Sequence, residues 1–418
     1  MTYATSETGH AEASLVDSRY AWARLAVALL IGTIGCAGMW TYVVALPYVQ
    51  SAFGVARADA SVPFTLAMLG FAGGNVLLGR FADRYGIVVP IIIGAVSLTI
   101  GYAISGVSGS IWQFAAGHVL VGFGAAAVFG PLIADISHWF VRRRGVAVAL
   151  AAAGNYVGGA VWPPIVRPLI ETVGWRETHI GIGLFCLATM LPLAFALRRR
   201  PAAAPAAAAL TEGEGGRPSL GISSNALLAL LSLSGIACCI AMAMPQVHIV
   251  AYCGDLGYGP ARGAEMLSLM LAGGLVSRIF FGLIADRVGG VVTLLTSATL
   301  QALALLMYLA FNGLASLYVV SALFGLFQGG IIPSYAIIVR EYFPPKEAGS
   351  KVGIVIMASV FGMAIGGWMS GAIFDATGSY RMAFANGFVW NLITIAVAIW
   401  LILRPRLLDR GRMVPAQA

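Results

Sequence analysis

The sequence predicts an all-α membrane protein with twelve transmembrane helices in two six-helix pseudo-repeats. Of the 418 residues, 59% are hydrophobic and 10% are charged, whereas a soluble domain carries about 25% charged residues. A bilayer core needs roughly 20 apolar residues per helix, and about twelve such runs follow one another along the chain. Because these runs are long and continuous, they favour helices over the alternating strands of a barrel.

Each apolar run is taken as one span, numbered in chain order. The predicted spans are 22–46, 62–79, 87–107, 111–136, 145–167, 179–197, 224–250, 263–285, 290–310, 315–338, 350–373 and 382–403. The first run is too long for the apolar segment of a signal peptide, and the residues before it are polar and of mixed charge. We therefore expect no cleavable signal peptide.

A segment rich in Ala, Pro and Gly, residues 198–219, separates the sixth run from the seventh and is typical of a linker. It divides the chain into two halves of six spans. The predicted organisation is an N-terminal tail at 1–20, a first bundle at 21–197, a linker at 198–222, a second bundle at 223–403 and a C-terminal tail at 404–418.

The lysines and arginines are distributed unevenly over the predicted loops, and this distribution predicts the topology. With a cytoplasmic N-terminus, the opposite side holds only Arg57, Arg167, Arg176, Arg262 and Arg381, and nearly all the other basic residues are cytoplasmic. We expect both termini and the linker in the cytoplasm. The net charge of +8 then needs no nucleic-acid partner. Only Lys346 and Lys351 are lysines. This bias towards arginine, with abundant alanine, indicates a GC-rich bacterial genome, so we expect the protein in a bacterial inner membrane.

Several function classes lack a signal in this sequence. The five cysteines follow no metal-ligand spacing and form no CxxC motif, so we interpret them as reduced apolar residues. No Ser-His-Asp arrangement, metal cluster or phosphate loop is recognisable. We expect no enzyme activity, no cofactor and no bound metal, and a functional monomer.

A motif in the first half recurs in the second. GRFADRYG at 79–86 returns as GLIADRVG at 282–289, with the same offset for its Gly, Ala, Asp, Arg and final Gly. Phe140 matches Phe343 at that same offset, 203 residues. Parallel repeats of six helices are the plan of one large class of transporters.

These motifs resemble the signature of the major facilitator superfamily. The resemblance implies its twelve-helix fold and a conformational latch on the cytoplasmic side. The latch residues would be Gly79, Asp83, Arg84, Gly282, Asp286 and Arg287, with the cluster Arg142, Arg143 and Arg144. Glycines of the motif are expected to let helix ends approach closely.

A second pattern narrows the resemblance. His138 to Gly159, an aromatic pair, a basic cluster and then small residues, resembles the entry to the fifth helix of monocarboxylate porters and oxalate/formate antiporters. The key arginine of that branch stands four positions before the glycine of GxxADR, which is Arg278 here. An arginine keeps its charge and is costly at bilayer depth. It lies in the apolar run Leu267–Ala285, roughly 12 Å along the helix from Asp286.

The chain departs from that branch at three positions. Gly274 stands where many animal porters carry an aspartate, the Val43 region lacks their lysine, and Ser359 replaces a lysine of the oxalate/formate antiporters. One cation suits one carboxylate, so we predict a monocarboxylate rather than oxalate as substrate.

The sequence thus predicts a secondary transporter that moves a small monocarboxylate by alternating access, with a proton as coupling ion. Candidate substrate-binding residues are Arg278, Asn155, Tyr335, Tyr42, Phe129, Gln328 and Phe361. Candidates for proton coupling are His118, His248 and Asp135. Two alternatives remain open: an exchanger of the oxalate/formate type, with a counter-anion as partner, and a non-transporting anion sensor on the same fold.

Overall fold

The computed structural model describes residues 15–199 and 220–412. Within these ranges twelve helices are long and apolar enough to cross a bilayer, which confirms the predicted all-α membrane fold. The helices are Arg19–Gly35 and Ala37–Phe53 (span one), Arg57–Tyr85 (two), Val88–Gly106 (three), Ile111–Ala126 and Gly130–Ser137 (four), Arg144–Val173 (five), Trp175–Ala196 (six), Ser224–Asp255 (seven), Pro260–Val288 (eight), Gly290–Ala310 (nine), Leu314–Gln328 and Ile331–Tyr342 (ten), Pro345–Thr377 (eleven) and Tyr380–Arg412 (twelve).

The helices form two compact units. Of the described residues, the first unit contains 15–55 and 62–199, and the second contains 56–61 and 220–412. Most of the predicted linker lies outside the described residues. The predicted boundaries placed 56–61 in the first bundle, but this short segment clusters with the second unit. The reason is local: the carboxylate of Asp375 accepts hydrogen bonds from the backbone N–H groups of Arg57 and Ala58.

The internal repeat extends to the packing of the helices. In the first unit, a Cβ on Gly122 of span four would collide with the Ala67 carbonyl group of span two. In the second unit, a Cβ on Gly325 of span ten would collide with the Met270 carbonyl group of span eight. Both members of each pair are displaced by the repeat offset of the signature motif, 203 residues. Glycine is required at these crossings because the two backbones touch.

Spans four and ten are each interrupted part-way along. Span four breaks between Ala126 and Gly130, and span ten breaks between Gln328 and Ile331. Gly130-Pro131 and Gly329-Gly330 stand at the breaks, and such residues weaken helical continuity. Interrupted helices at membrane depth are tolerated where other groups satisfy the freed backbone, and transporters place binding sites beside them.

The signature motif occupies the last turns of spans two and eight. Its final glycines end both helices with positive φ angles, 83° at Gly86 and 81° at Gly289, a conformation that favours glycine. The structure shows no close approach at the first glycine of either motif. A Cβ on Gly79 or Gly282 would meet no heavy atom within 4 Å. These helix faces have no close neighbour within the described chain, so packing there does not require glycine.

Span five packs against span one through small residues. A Cβ on Gly154 would lie 3.1 Å from the Gly32 Cα atom, and the Trp162 indole donates to the Thr33 carbonyl oxygen at 2.8 Å. Span five contains Pro163 and Pro164, which could end a helix, but the helix runs through them to Val173. Each proline removes a single backbone donor, and membrane helices tolerate that loss.

Candidate functional site

Arg278 of span eight lies beside the break in span ten. The preceding residue, Ser277, donates its hydroxyl to the Leu326 carbonyl oxygen at 2.6 Å and accepts the Gly329 N–H at 3.0 Å. A Cβ on Gly329 would be 2.8 Å from the Arg278 backbone nitrogen. The Ser277 hydroxyl thus fixes the broken helix against the backbone that carries the half-buried Arg278 side chain.

A buried pair of glutamines flanks the same break. The Gln246 amide of span seven donates to the Gln328 Oε1 atom at 2.9 Å, which orients the Gln328 amide group. The Gln328 Nε2 atom is buried and makes no hydrogen bond within the described chain. A buried donor without an acceptor is costly, so this position favours a ligand oxygen. Gln246 was not identified from the sequence, where a single polar residue in an apolar run gives little signal.

The other predicted substrate residues of the second unit have different surroundings. Tyr335 is buried, and its hydroxyl lies 2.8 Å from the Ser234 Oγ atom and 3.5 Å from the Cys238 Sγ atom. That hydroxyl is therefore engaged by span seven of its own unit. Phe361 on span eleven is 42% exposed. Ser359, where oxalate/formate antiporters carry a lysine, is buried and donates to the Val355 carbonyl oxygen.

In the first unit, the predicted substrate residues Tyr42 and Asn155 lie on spans one and five. Asn155 accepts a hydrogen bond from the Trp40 indole at 3.2 Å. Tyr42 is buried with its ring centroid 5.0 Å from that of His118. Phe129 lies at the break of span four, and its ring packs in a tilted orientation against the ring of Phe71.

Asn75 was missed by the sequence interpretation, although the repeat identifies it. It precedes Gly79 by four positions, as Arg278 precedes Gly282. Its side chain accepts the Gly130 N–H at 3.1 Å, at the break of span four. The two units therefore each place a polar residue of the same repeat position beside an interrupted helix.

The proton-coupling candidate Asp135 is held in an ion pair. Its carboxylate accepts bidentate hydrogen bonds from the Arg24 guanidinium of span one, at 2.8 to 3.0 Å. The guanidinium of Arg24 also donates to the Leu197 carbonyl oxygen and lies 4.5 Å from the centre of the Trp139 ring. Arg24 is 3% exposed. The sequence interpretation counted Arg24 only as a cytoplasmic charge and did not foresee this buried pair.

His118 belongs to a buried histidine pair. Its Nδ1–H donates to the Phe114 carbonyl oxygen at 3.0 Å, and its Nε2 atom makes no hydrogen bond within the described chain. The ring centroid of His179 lies 6.0 Å away. His179 was overlooked because the sixth apolar run was taken to begin there, whereas the helix begins at Trp175.

His248, the third candidate, is buried in span seven. Its Nε2–H donates to the Gly367 carbonyl oxygen at 2.8 Å, and its Nδ1 atom lies 2.9 Å from the Tyr380 hydroxyl oxygen. That hydroxyl accepts a hydrogen bond from Arg57 at 2.7 Å. Neither Tyr380 nor Arg57 was singled out from the sequence as a site residue.

The predicted latch residues lie at the ends of spans two and eight and in the turn before span five; the side chain of Arg144 lies outside what the structure describes. Asp83, Arg84, Asp286, Arg287, Arg142 and Arg143 are all exposed. The Arg84 guanidinium lies 5.3 Å from the centre of the neighbouring Tyr85 ring. Their role as a latch stays a prediction.

The chain is similar to known membrane transporters over most of its length. The sequence profile of the Major Facilitator Superfamily matches residues 28–277 and 231–412. The MFS-type transporter pynF of Aspergillus niger is 25% identical over 308 residues, which cover 72% of this chain and 69% of that protein. Monocarboxylate transporter 11 of Homo sapiens is 25% identical over 390 residues, which cover 88% of this chain and 80% of the human protein.

A solved structure has the same fold. It is a bacterial homolog to the human lysosomal transporter Spinster, in an inward-facing and occupied conformation. The TM-score is 0.68, with 14% sequence identity, and the match covers 94% of this chain and 97% of that chain. The relatives are transporters, which agrees with the expected absence of enzyme activity. The two sequence relatives are fungal and human, so a bacterial source stays a prediction. By the match of the family profile to both of its halves, the chain belongs to the Major Facilitator Superfamily of membrane transporters.

Proposed function

We propose that the protein transports a small monocarboxylate across its membrane by alternating access. The observation that carries the proposal is the position of Arg278 beside the break of span ten, next to the glutamine whose buried amide has no acceptor within the described chain. A guanidinium binds a carboxylate with two parallel hydrogen bonds. An amide donor beside it provides a further hydrogen bond to a substrate oxygen.

The number of cations favours one carboxylate over two. Ser359 and Gly274 bring no further cation to the positions at which related transporters carry charged residues, so a dicarboxylate would keep one uncompensated charge at bilayer depth. The likeness to Monocarboxylate transporter 11 supports the same substrate class. The lysine and arginine distribution supports a cytoplasmic location of both termini, and the bacterial inner membrane is proposed as the location.

Proton coupling is part of the proposal. Asp135 is engaged by Arg24, so the histidines are the better candidates for carrying a proton. His118 in the first unit and His248 in the second are both buried within spans. Replacement of His118 by Gln should reduce uphill uptake in a pH gradient and leave downhill uptake unchanged. If accumulation driven by the gradient stayed at the wild-type level, His118 would have no part in coupling.

The transport proposal is tested by uptake into proteoliposomes. Short radiolabelled monocarboxylates and oxalate are compared, with and without a pH gradient and with or without anion loaded inside. We expect accumulation of a monocarboxylate that grows with the gradient. Uptake that needs internal anion, independent of the gradient, would make the protein an exchanger. Saturable binding without any uptake would favour the sensor alternative.

Arg278 is tested in the same assay with a matched control. Arg278→Ala should lower uptake about 30-fold or more, because removing one partner of a buried charge pair costs at least ~2 kcal/mol. Arg278→Lys should recover little, since lysine lacks the two-pronged geometry. The control is Arg262→Ala on the same helix, where the exposed guanidinium pairs with Glu265. Wild-type uptake by Arg278→Ala would refute the proposed site.

A further inference from the structure

A chain of hydrogen bonds in the second unit links a buried histidine to residues 56–61. Arg57 Nη1–H donates to the Tyr380 hydroxyl oxygen at 2.7 Å, and the Tyr380 oxygen lies 2.9 Å from the His248 Nδ1 atom. The ring nitrogen on the other side, Nε2, donates to the Gly367 carbonyl oxygen. Because a carbonyl oxygen only accepts and a guanidinium only donates, the hydroxyl proton of Tyr380 is directed at an unprotonated Nδ1 atom.

Arg57 has further contacts within the second unit. Its Nη2 atom forms an ion pair with Asp255 at 3.1 Å, and its guanidinium carbon lies 4.7 Å from the centre of the Phe374 ring. The Asp375 carboxylate accepts the backbone N–H groups at the start of span two. A Cβ on Gly371 would lie 2.7 Å from the Arg57 carbonyl oxygen. Residues 56–61 are therefore fitted closely into the second unit, although span two continues into the first unit from Val62 onwards.

We propose that His248 is a proton-sensing positioning residue, whose protonation releases Arg57 and the start of span two from the second unit. A proton taken up from solution on Nδ1 turns this atom from an acceptor into a donor. The Tyr380 hydroxyl must then turn its proton away, and its oxygen receives N–H groups from two cations. The hydrogen bond from Arg57 to the Tyr380 oxygen is then opposed by repulsion between the two cations that share this atom.

Several titratable and charged groups lie on the elements packed around His248 at this end. They are Tyr252, Cys253 and Asp255 on its own span, Asp375 on span eleven, Tyr380 and Arg381 on span twelve, Arg57 on span two, and Arg262 and Glu265 on span eight. Asp255 and Asp375 bind Arg57 rather than the ring. Glu265 accepts from Arg262 and Tyr318. The ring of His248 thus has Tyr380 as its titratable contact, with Arg57 directly behind it.

Solvent has a route to this network. A cavity of about 280 Å³ in the second unit is lined by Asp255, Phe374 and Tyr380, among others. The lysine and arginine distribution predicts that this end of the bundle is not cytoplasmic. The cavity therefore brings solvent from that side to Tyr380, the residue that contacts His248. This inference extends the proposed transport function to its coupling, but the release of residues 56–61 is measurable without any substrate.

The test uses the full-length protein in proteoliposomes with a cysteine reporter. Ser61 is buried at the end of the released segment, and Ser61→Cys keeps its size. Labelling by a membrane-impermeant maleimide is followed from about pH 8 to about pH 5, a range that includes the usual titration of an imidazole. Each rate is divided by that of Ser51→Cys, an exposed residue, which removes the intrinsic pH dependence of the reaction. The five native cysteines are buried, and the chain without a reporter gives the background.

We expect the normalised labelling of Ser61→Cys to rise on acidification, by up to about tenfold per pH unit. In His248→Gln the rise should vanish, because an amide donates to Gly367 and accepts from Tyr380 without taking a proton. Tyr380→Phe and Gly371→Ala should give high labelling that is independent of pH, because each directly disturbs the contacts that hold residues 56–61 in the second unit. Tyr380→Phe also decides the question if His248→Gln fails to fold.

Two results would overturn the proposal. One is wild-type labelling that does not change with pH. The other is a rise of unchanged size in His248→Gln, or in Tyr380→Phe, which would make Asp255 or Asp375 the sensor instead. Failure of this proposal can be distinguished from failure of the transport proposal. Arg278→Ala should lose uptake but keep the pH-dependent labelling of Ser61→Cys.

Discussion

Asn75 and Arg278 hold the same position in the two repeats, each four residues before the first glycine of the signature motif. Asn75 contacts the break of span four through its side chain, which accepts the Gly130 N–H at 3.1 Å. Arg278 lies beside the break of span ten, where the neighbouring Ser277 accepts the Gly329 N–H at 3.0 Å. One repeat position thus supports a helix break in one unit and carries a candidate substrate-binding charge in the other.

Asn75 is expected to act by holding the break of span four in place. Asn75→Ala removes the acceptor of the Gly130 N–H and should lower the free energy of unfolding by about 1 kcal/mol. Asn75→Asp keeps an acceptor oxygen for the Gly130 N–H and loses only the donor to the Phe71 carbonyl oxygen, so it should lose less. Thermal unfolding in detergent, followed by tryptophan fluorescence, measures both variants. Equal losses for Ala and Asp would show that the hydrogen bond to Gly130 contributes nothing.

Gln328→Glu separates ligand binding from packing at the break of span ten. The carboxylate has the shape of the amide and still accepts from Gln246, so the bundle should fold. It lacks the Nε2 donor and adds a negative charge, so the apparent affinity for a carboxylate should fall by about tenfold or more, as for hydrogen bonds to charged groups.

The concentration dependence of uptake checks the prediction for Gln328→Glu, since it distinguishes a raised KM from a lowered maximal rate. Gln301→Glu is a suitable control. This glutamine is also buried in the second unit, where it donates to the Cys238 carbonyl oxygen of span seven. An equal loss of affinity in both variants would indicate general damage to the unit rather than a lost ligand contact.

The ion pair between Arg24 and Asp135 is expected to stabilise the first unit without carrying protons. Asp135→Asn leaves the guanidinium of a buried arginine without its counter-charge and should cost about 3–5 kcal/mol. The double variant Arg24→Met with Asp135→Leu should recover most of that loss, because a buried pair is often replaced by apolar residues without penalty.

Thermal unfolding and pH-driven uptake of these variants decide between the two roles of Asp135. If the double variant is stable and still accumulates substrate in a pH gradient, Asp135 is structural. If it is stable and has lost accumulation while downhill uptake continues, Asp135 belongs to the coupling pathway, as the sequence interpretation allowed.

The fold was predictable because lipid imposes simple rules on length and polarity. Runs of about 20 apolar residues must form helices there, so all twelve spans were found, with ends displaced by a few residues. The repeat of the signature motif predicted two equivalent halves, and the crossings at Gly122 and Gly325 follow the same offset. One informative error was at the start of span two, which begins at Arg57 rather than near 62. An arginine was taken as a loop residue there, whereas Asp255 and Tyr380 provide its partners.

The candidate site was less predictable than the fold. Arg278 is conspicuous because a charge in an apolar run demands an explanation. Arg24 is equally buried, but it stands near the end of a run, where positive charge is expected anyway. Its partner Asp135 is 111 residues away in the chain, and no local pattern joins them. The pairs Gln246–Gln328 and His248–Tyr380 are separated by 82 and 132 residues, so only the fold brings them together.

Glycines of similar sequence context should differ sharply in what they tolerate. Gly122→Leu and Gly325→Leu place a side chain where two backbones touch, and overpacking of this kind should prevent folding or greatly lower thermal stability. Gly79→Leu and Gly282→Leu should leave stability unchanged or slightly higher, because the sites are open and leucine is a better helix former by almost 1 kcal/mol. Unfolding temperatures of the four purified variants test this contrast.

Transport by the two tolerated variants then tests the predicted latch. The signature loops are predicted to close against a neighbour during the transport cycle, which would require small residues at Gly79 and Gly282. In that case Gly79→Leu and Gly282→Leu will be stable proteins with lowered uptake. We expect a loss of about tenfold or more, which corresponds to ~1.4 kcal/mol of lost stability of the closed state. Gly79→Ala should fall between leucine and the wild type. Stable leucine variants with wild-type uptake would mean that no close approach occurs at these glycines in any state of the cycle, and the motif would keep only its role in ending the helices at Gly86 and Gly289.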